Sequence, residues 1–272
     1  MRLGSRSALD EMVINGAIVR AFAERGLPPP SNDGQFLRMH EAEELVAKMG
    51  TPEDDTSNSF TARMLLLLES RTLLRGAAYQ KLVKRVIGAY WKHQAGHEHD
   101  YLPMLLINDI VRYWRILLLN YAAKNTSDAT KSRKNRDLEA DRRLRSYKLR
   151  FARCLTCYSA LALVMARYIE AGRVTTHDAL QLVEMAPLKR LQEVASLLPT
   201  TKRRVGALQS LYAKFLRQTD ASKDDLRARF TRDDYRASRA SEGRAFGDGV
   251  FDLITQMGRS TRGRQVLRFA TV

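Results

Sequence analysis

Four polar side chains, of types that bind phosphate, lie within or near two apolar stretches of this sequence. Leu102 to Tyr121, LPMLLINDIVRYWRILLLNY, contains Asn108, Arg112 and Arg115, and Arg71 follows the string MLLLLES. Arginine presents a planar fork of N–H donors that matches phosphate oxygens. Arg71, Asn108, Arg112 and Arg115 are therefore candidates for binding a nucleotide or a phosphate group.

A single helix is predicted to position three of these groups. At 100° per residue, one face is apolar, formed by Leu106, Ile107, Ile110, Val111, Trp114, Leu117, Leu118 and Tyr121. The opposite face mixes apolar residues with Asn108, Asp109, Arg112, Tyr113, Arg115 and Asn120. Either neighbouring helices satisfy these polar groups in a buried network, with Glu69, Ser70 and Arg71 as internal partners, or the stripe lines a cleft that binds an anion. The network is favoured because buried ion pairs are common and need no ligand.

A large excess of positive charge predicts a polyanionic partner. The 272 residues include 46 Lys and Arg against 30 Asp and Glu, which gives a net charge of +16. This charge favours RNA or DNA over a membrane surface. Residues 125–136, NTSDATKSRKNR, form a predicted polar and basic loop, and a basic helix follows. The candidates for polyanion contact in these segments are Lys131, Arg133, Lys134, Arg136, Lys148 and Arg150. A basic surface that binds nothing is the alternative.

The cysteine and histidine patterns do not predict a metal site. Cys154 and Cys157 form a lone pair in a helical segment, without the second pair that a structural zinc site requires. Core packing is the favoured role for both. His93, His97 and His99 have no fixed helical face and no paired carboxylate motif beside them. We expect no metal and no cofactor in the isolated chain.

Hydropathy predicts a soluble, cytoplasmic protein. With 44% hydrophobic and 28% charged residues, the chain has the composition of a globular protein. The N-terminus lacks the apolar run of a signal peptide. No stretch reaches the about eighteen uncharged apolar residues that a membrane span requires. We therefore expect no membrane partner.

Helical periodicity dominates the sequence and predicts a mostly α fold. We expect a multi-helix array or bundle with at most one or two short strands near residues 35–40. Ser7 is expected to cap a first helix that ends near Arg25. A long helix is predicted from about Leu138 to Ala171. Residues 220–272 carry much charge and little apolar periodicity, and predict a basic, loosely packed C-terminal extension.

Four strings of this chain resemble a known enzyme family. They are GLPPPSNDGQFLRMH, DDTSNSFTARMLLLLES, LINDIVRYWR and KLRFARCLTCYS. They are similar to stretches that follow the catalytic strands in bacterial nucleotidyltransferases of the DNA polymerase β superfamily. The first two also resemble the corresponding part of the uridylyltransferase that modifies nitrogen-signalling proteins. The resemblance covers roughly Ser7 to Leu198.

This resemblance implies a chemistry whose residues we do not find in the chain. Members of the superfamily transfer a nucleoside monophosphate from an NTP, and a Gly-Ser turn, an Asp-x-Asp pair and a third carboxylate hold two Mg²⁺ ions. Here Gly4-Ser5 is followed too soon by Asp10-Glu11, without an intervening strand. Glu53-Asp54-Asp55 lies in a predicted loop, where capping is the favoured role. We therefore assign no catalytic residue, and expect Mg²⁺ and NTP only if an upstream segment or a separate catalytic subunit exists.

The resemblance divides the chain into three predicted parts. Residues 1–58 correspond to a remnant of a nucleotidyltransferase-like domain, with a helix, a turn, a short strand and a second helix. Residues 59–219 form a helical domain, and residues 220–272 form the extension.

Three functions follow from these patterns. The first is the helical portion of a nucleotidyltransferase-family protein, which contacts nucleotide or nucleic acid without a complete catalytic site. The second is an active transferase that moves NMP from NTP to RNA or protein, with carboxylates that are unrecognised or supplied by a separate subunit. The third is a structural domain for protein interaction, in which the stripe of Asp109, Arg112 and Arg115 is internal.

Overall fold

The chain is almost entirely helical in the computed structural model. The structure describes residues 7–27, 30, 37, 40–72, 75–132 and 136–271, and for residues 126–132 it describes the backbone alone. Within these ranges there is no strand, so the predicted multi-helix, all-α array is confirmed. The short strands predicted near residues 35–40 fall outside the described residues, apart from Leu37 and His40, and neither of these two is in a strand.

The chain divides into two compact units, Met1–Ala62 and Arg63–Val272. The helices that lie in or begin in the first unit are α1 (Ala8–Glu24), α2 (Glu44–Ala47), α3 (Glu53–Thr56) and α4 (Ser59–Leu68). Ser7 caps α1 as predicted, because its hydroxyl accepts a hydrogen bond from the Asp10 amide at 3.2 Å. The side chain of Asp10 in turn accepts from the Ser7 amide at 3.1 Å, which completes a capping box.

The second unit contains the longer helices. In chain order they are α5 (Gly76–Tyr90), α6 (Met104–Ser132), α7 (Arg136–Lys148), a π-helical turn (Leu149–Arg153), α8 (Cys154–Ala171), α9 (Thr176–Glu184), α10 (Pro187–Leu197), a 3₁₀ turn (Pro199–Thr201), α11 (Lys202–Thr219), α12 (Lys223–Phe230), α13 (Asp233–Met257) and α14 (Thr261–Thr271). Helix α7, the π-helical turn and α8 run on without a break. The long helix predicted from Leu138 to Ala171 is therefore confirmed.

Helix α8 lies at the centre of the second unit. Most of its residues are buried, and it packs against α6, α9, α10, α13 and α14. Within the described residues, the continuous helix Arg136–Ala171 is the one that is long and apolar enough to cross a membrane. Of its most apolar window, 72% is buried inside the protein. A core helix of a soluble protein has this same character, so the finding is compatible with solubility.

Cys154 and Cys157 belong to this buried helix, as their predicted packing role requires. Both are free thiols, and burial raises the pKa of each to about 12. Because the thiolate is the reactive and metal-binding form, burial disfavours both reactivity and metal binding at these two cysteines.

An aromatic cluster ties the C-terminal helices to the rest of the second unit. The Phe151 ring stacks on Phe215 with centroids 4.7 Å apart, and lies 4.6 Å from the ring of Phe246. Tyr147 and Phe230 extend the cluster to α7 and α12. Phe230 and Phe246 are almost fully buried.

The predicted loose packing of residues 220–272 is therefore wrong. These residues form α12, α13 and α14 in the same unit as residues 63–219. The apolar side chains of α13 are concentrated in its second half, at Phe246, Val250, Leu253, Ile254 and Met257. The charged first half of α13 hides this helical periodicity in a short sequence window.

Candidate anion-binding groove

A groove lined by arginines runs between α7 and α13. Its larger cavity, of about 310 Å³, is lined by Glu139, Arg143, Arg236, Ala237 and Ala240. Its smaller cavity, of about 130 Å³, is lined by Arg143, Ser146, Tyr147, Arg150, Phe230, Arg236, Arg239, Ala240 and Arg244. Three lining residues are common to both cavities, so the two adjoin. We call the two cavities, with Arg143, Arg150, Arg236, Arg239 and Arg244, the arginine groove.

Helical spacing places four of these five arginines on two sides of the groove. Arg143 and Arg150 are seven residues apart along α7 and the π-helical turn, and so project from the same side. Arg236 and Arg239 are three residues apart on α13, and Ala240 and Gly243 continue this face. Small residues here leave open space between the arginine side chains.

Gly243 also brings Arg150 close to α13. Gly243 is buried, and a Cβ atom built on it would lie 3.1 Å from the Cδ atom of Arg150. A larger residue would therefore push the Arg150 side chain away from the helix. The absence of a side chain at this position lets the aliphatic part of Arg150 pack on α13, while its guanidinium group stays exposed.

Three of the five guanidinium groups have carboxylate partners. Arg143 donates from Nε to Glu139 at 2.6 Å, and Arg236 pairs with Asp233. Arg239 pairs with Glu242 at 3.1 Å.

Arg150 and Arg244, by contrast, have no acidic partner in the described part of the chain. Both side chains are exposed at the smaller cavity, and no carboxylate contributes to that cavity's lining among the described residues. The smaller cavity therefore carries an uncompensated positive charge, which attracts anions.

The Nε atom of Arg239 is a buried donor without an acceptor among the described residues. Its side chain is 11% exposed, and its guanidinium lies over the Tyr235 ring at 4.8 Å from the centroid. Nη2 donates to the Ser238 hydroxyl at 2.9 Å, but Nε has no hydrogen-bond partner. An unpaired buried donor is costly, so a rotation of the Arg239 side chain that turns Nε toward an anion oxygen in the adjoining cavity would be favourable.

Of the residues predicted to contact a polyanion, one lines the arginine groove. Arg150 lines it, and Lys148 is exposed one helical position before the π-helical turn. Arg136 is exposed at the first residue of α7. Arg133, Lys134 and the side chain of Lys131 lie outside the described residues.

The predicted phosphate-binding residues lie on α6 and just after α4, in different surroundings. Arg71 donates from Nη1 to the backbone oxygens of Ser70 at 2.8 Å and Val183 at 3.2 Å, so it lies against the end of α9. On α6, Asn108 and Arg115 are exposed. Arg112 is half-buried, with Nη1 4.0 Å from the Asp109 carboxylate.

Asp109 has a buried network of its own, with partners that the sequence pattern does not indicate. Its Oδ2 accepts from the Tyr90 hydroxyl at 2.6 Å and from Arg63 Nη2 at 3.4 Å. Arg63 also donates from Nε to the Tyr90 hydroxyl at 3.0 Å. Burial raises the pKa of Asp109, against the opposing effects of Tyr90, Arg63 and Arg112. Asp109 is thus internal, as the favoured alternative requires, although its closest partners are Arg63 and Tyr90.

The buried face of α6 differs from the predicted one for this reason. Tyr113 and Asp109 are buried, whereas Leu118 is 41% exposed. The Tyr113 hydroxyl donates to Glu69 Oε1 at 3.1 Å, and Glu69 also pairs with Arg153. Because such partners satisfy their polar groups, Asp109 and Tyr113 are buried in the first half of the helix together with Leu106, Ile107 and Ile110.

The acidic and histidine clusters show no metal geometry in the described residues, where no group of three His, Cys, Asp or Glu side chains could hold an ion. Glu53, Asp54 and Asp55 form α3, a short helix where the sequence predicts a loop. Asp54 is buried while Glu53 and Asp55 are exposed, so the three carboxylates point apart.

Comparison with known proteins adds no relative. No protein-family model, no curated protein and no solved structure matches the chain.

Four of the five groove arginines are absent from the sequence-based candidates: Arg143, Arg236, Arg239 and Arg244. Residues 143–150 and 236–244 are far apart in sequence, and only tertiary packing brings them together. One local signal was present. Arg236, Arg239, Ala240 and Gly243 repeat at helical spacing, which places basic and small residues on one face.

Proposed function

We propose that this chain binds a nucleic-acid backbone, RNA or DNA, through the arginine groove. The observation that carries the proposal is the smaller cavity, where the guanidinium groups of Arg150 and Arg244 have no acidic partner and the Nε atom of Arg239 has no acceptor among the described residues. Phosphate oxygens supply both the charge and the acceptors that these groups lack. The net charge of +16 supports the same ligand class through long-range attraction.

The resemblance to nucleotidyltransferases gives this binding a context. We propose that the chain is the helical portion of such a protein, that it is cytoplasmic, and that it holds a nucleic acid without a complete catalytic site. A transferase reaction would then require Mg²⁺, NTP and the carboxylates of a separate catalytic subunit or segment. Arg71, Asn108, Arg112 and Arg115 remain candidates for contact with that nucleotide.

Salt-dependent binding tests the groove. Fluorescence anisotropy with labelled RNA and DNA oligonucleotides, single-stranded and duplex, should give affinities that fall linearly on a log–log plot between about 50 and 200 mM NaCl. The double variant Arg150→Gln/Arg244→Gln removes two phosphate contacts. It should weaken binding and reduce the slope of this plot by about 1.4 for single strands and about 1.8 for duplexes.

The matched control removes the same charge elsewhere. Lys81 and Lys84 are exposed on α5, which packs against α9. The double variant Lys81→Gln/Lys84→Gln should change the salt slope much less. Equal losses in the two double variants would show that overall charge, and not the groove, determines binding. No binding by the wild-type chain at low salt would contradict the proposal itself.

A further inference from the structure

We infer that the smaller cavity of the arginine groove binds a terminal phosphate, so that the chain engages the ends of nucleic-acid strands. This inference rests on the proposed function and names the part of the ligand that the groove recognises. It concerns a phosphomonoester at a strand end, as distinct from the phosphodiesters within a strand.

The charge of the smaller cavity exceeds what one internal phosphate would neutralise. Five guanidinium groups line a space of about 130 Å³, and two of them have no acidic partner in the described part of the chain. An internucleotide phosphodiester carries one negative charge, whereas a phosphomonoester carries about 1.5 to 2 at neutral pH and presents three acceptor oxygens. Arginine clusters are the usual binding sites for phosphomonoesters.

The donors around this cavity are also suited to a group with several free oxygens. The Nε atom of Arg239 is buried and unpaired, and the exposed guanidinium groups of Arg150 and Arg244 are free to move toward a ligand. Ser146 adds a hydroxyl to the same lining. A terminal phosphate can accept from several directions at once, because only one of its four oxygens is bonded to the sugar.

The two cavities differ in the charge of the residues that line them. The smaller cavity is bounded by the side chains of Tyr147 and Phe230, whose rings belong to the aromatic cluster. The larger cavity has two arginines and Glu139. That carboxylate disfavours a second highly charged group. We therefore place the terminal phosphate in the smaller cavity and the adjoining nucleotides along the larger one.

Oligonucleotides that differ only at their ends test this inference. Three labelled single strands of one sequence are compared: one with a 5′-phosphate, one with a 3′-phosphate and one with hydroxyls at both ends. One of the phosphorylated strands should bind the wild-type chain about tenfold more tightly than the unphosphorylated strand, the gain expected from charge-assisted hydrogen bonds. The preference should shrink between about pH 7.5 and pH 5.5, because the second pKa of a phosphomonoester is about 6.

The variant Arg239→Lys separates recognition of the end from attraction to the backbone. Lysine keeps the positive charge but lacks the Nε donor. The preference for the phosphorylated strand should fall several-fold, and affinity for the unphosphorylated strand should fall by less, because the positive charge that attracts the backbone is kept. Circular dichroism checks the fold of this variant. If it is not folded, Arg150→Gln, at an exposed side chain, replaces it and should lower the same preference.

The outcomes separate this inference from the proposed function. Equal affinity for the three strands, together with the salt dependence and groove-variant losses expected above, would overturn the terminal-phosphate inference and leave backbone binding intact. Absence of binding by any strand would overturn both. If free NTP displaces the strands at the concentration at which the phosphorylated strand itself binds, the cavity is a nucleotide site, and the inference fails.

Discussion

At the scale of single residues, Arg190 shows how a buried charge can serve structure alone. Its side chain is fully buried, and its described partners are backbone oxygens: Leu182 at 2.9 Å, Leu68 at 3.2 Å and Thr156 at 3.4 Å. Leu182 and Leu68 lie in the last turns of α9 and α4, where carbonyl groups have no partner within the helix. Burial, with a smaller effect from Arg71, lowers the pKa of Arg190 to about 10, so the group stays charged at neutral pH.

Arg190→Met should destabilise the second unit. Methionine fills similar space but leaves the carbonyl groups of Leu68 and Leu182 buried without a donor. Each unpaired group costs about 1 to 3 kcal/mol. Removal of the buried charge also removes its desolvation penalty, which offsets part of this loss. We expect a net loss of about 2 to 4 kcal/mol in the free energy of unfolding, measured by urea denaturation.

The neighbouring lysine provides the control for this prediction. Lys189 is exposed on the same helix, and Lys189→Met removes the same charge without a change in burial. Its effect should stay within about 0.5 kcal/mol. An Arg190→Met variant as stable as the wild type would show that the bonds to the carbonyl groups contribute no net stability.

At the scale of elements, the end of the central helix α8 depends on two residues from different segments. Gly172 ends α8 with a left-handed backbone, at a φ of +76°. Arg262, from α14, donates to the backbone oxygens of Ile169 at 2.9 Å and Glu170 at 3.3 Å. A Cβ atom at residue 172 would lie 2.8 Å from the Nη2 atom of Arg262.

Gly172→Ala should therefore lower stability in two ways. The left-handed conformation costs a non-glycine residue about 1 to 2 kcal/mol, and the new methyl group displaces Arg262 from the carbonyl groups that it caps. Urea unfolding should show a combined loss of about 2 kcal/mol. Arg262→Ala should then cost less in the Gly172→Ala background than in the wild type.

Gly88→Ala is the control, because it measures the effect of a glycine-to-alanine change on helix propensity alone. Gly88 lies within α5, and a Cβ atom there would meet no other atom within 4 Å. This substitution should stabilise the protein by up to about 1 kcal/mol. Additive effects of Gly172→Ala and Arg262→Ala would contradict the proposed contact between the two positions.

Local sequence periodicity predicts the helices of this protein but not the contacts between them. Helical periodicity predicts the all-α fold and the long helix through α7 and α8, because each depends on local spacing. It does not identify the partners of the buried Asp109, because Arg63 and Tyr90 come from other helices. It also fails for the arginine groove, since Arg150 and Arg244 meet only through the aromatic cluster that packs α13 on the π-helical turn.

At the scale of the whole molecule, net charge and ion pairs act in opposite directions when salt is added. The excess of 46 basic over 30 acidic residues makes the folded chain repel itself, and salt screens this repulsion. Salt also weakens favourable ion pairs. Several of these are partly exposed pairs between residues close in sequence, such as Lys48 with Glu44 and Arg143 with Glu139. Exposed pairs contribute at most about 1 kcal/mol each, so we expect relief of the repulsion to dominate.

The midpoint of thermal unfolding should therefore rise between low salt and about 0.15 M NaCl. A nucleic acid should raise the midpoint further, because a ligand present at about 100 times its Kd stabilises the folded state by about 2.7 kcal/mol. Differential scanning fluorimetry of the Arg150→Gln/Arg244→Gln variant separates the two effects. This variant should keep the rise caused by salt, since its net charge stays strongly positive, and lose most of the rise caused by the nucleic acid. An undiminished shift with nucleic acid would place the ligand elsewhere on the basic surface, because stabilisation by a bound polyanion follows the residues that contact it.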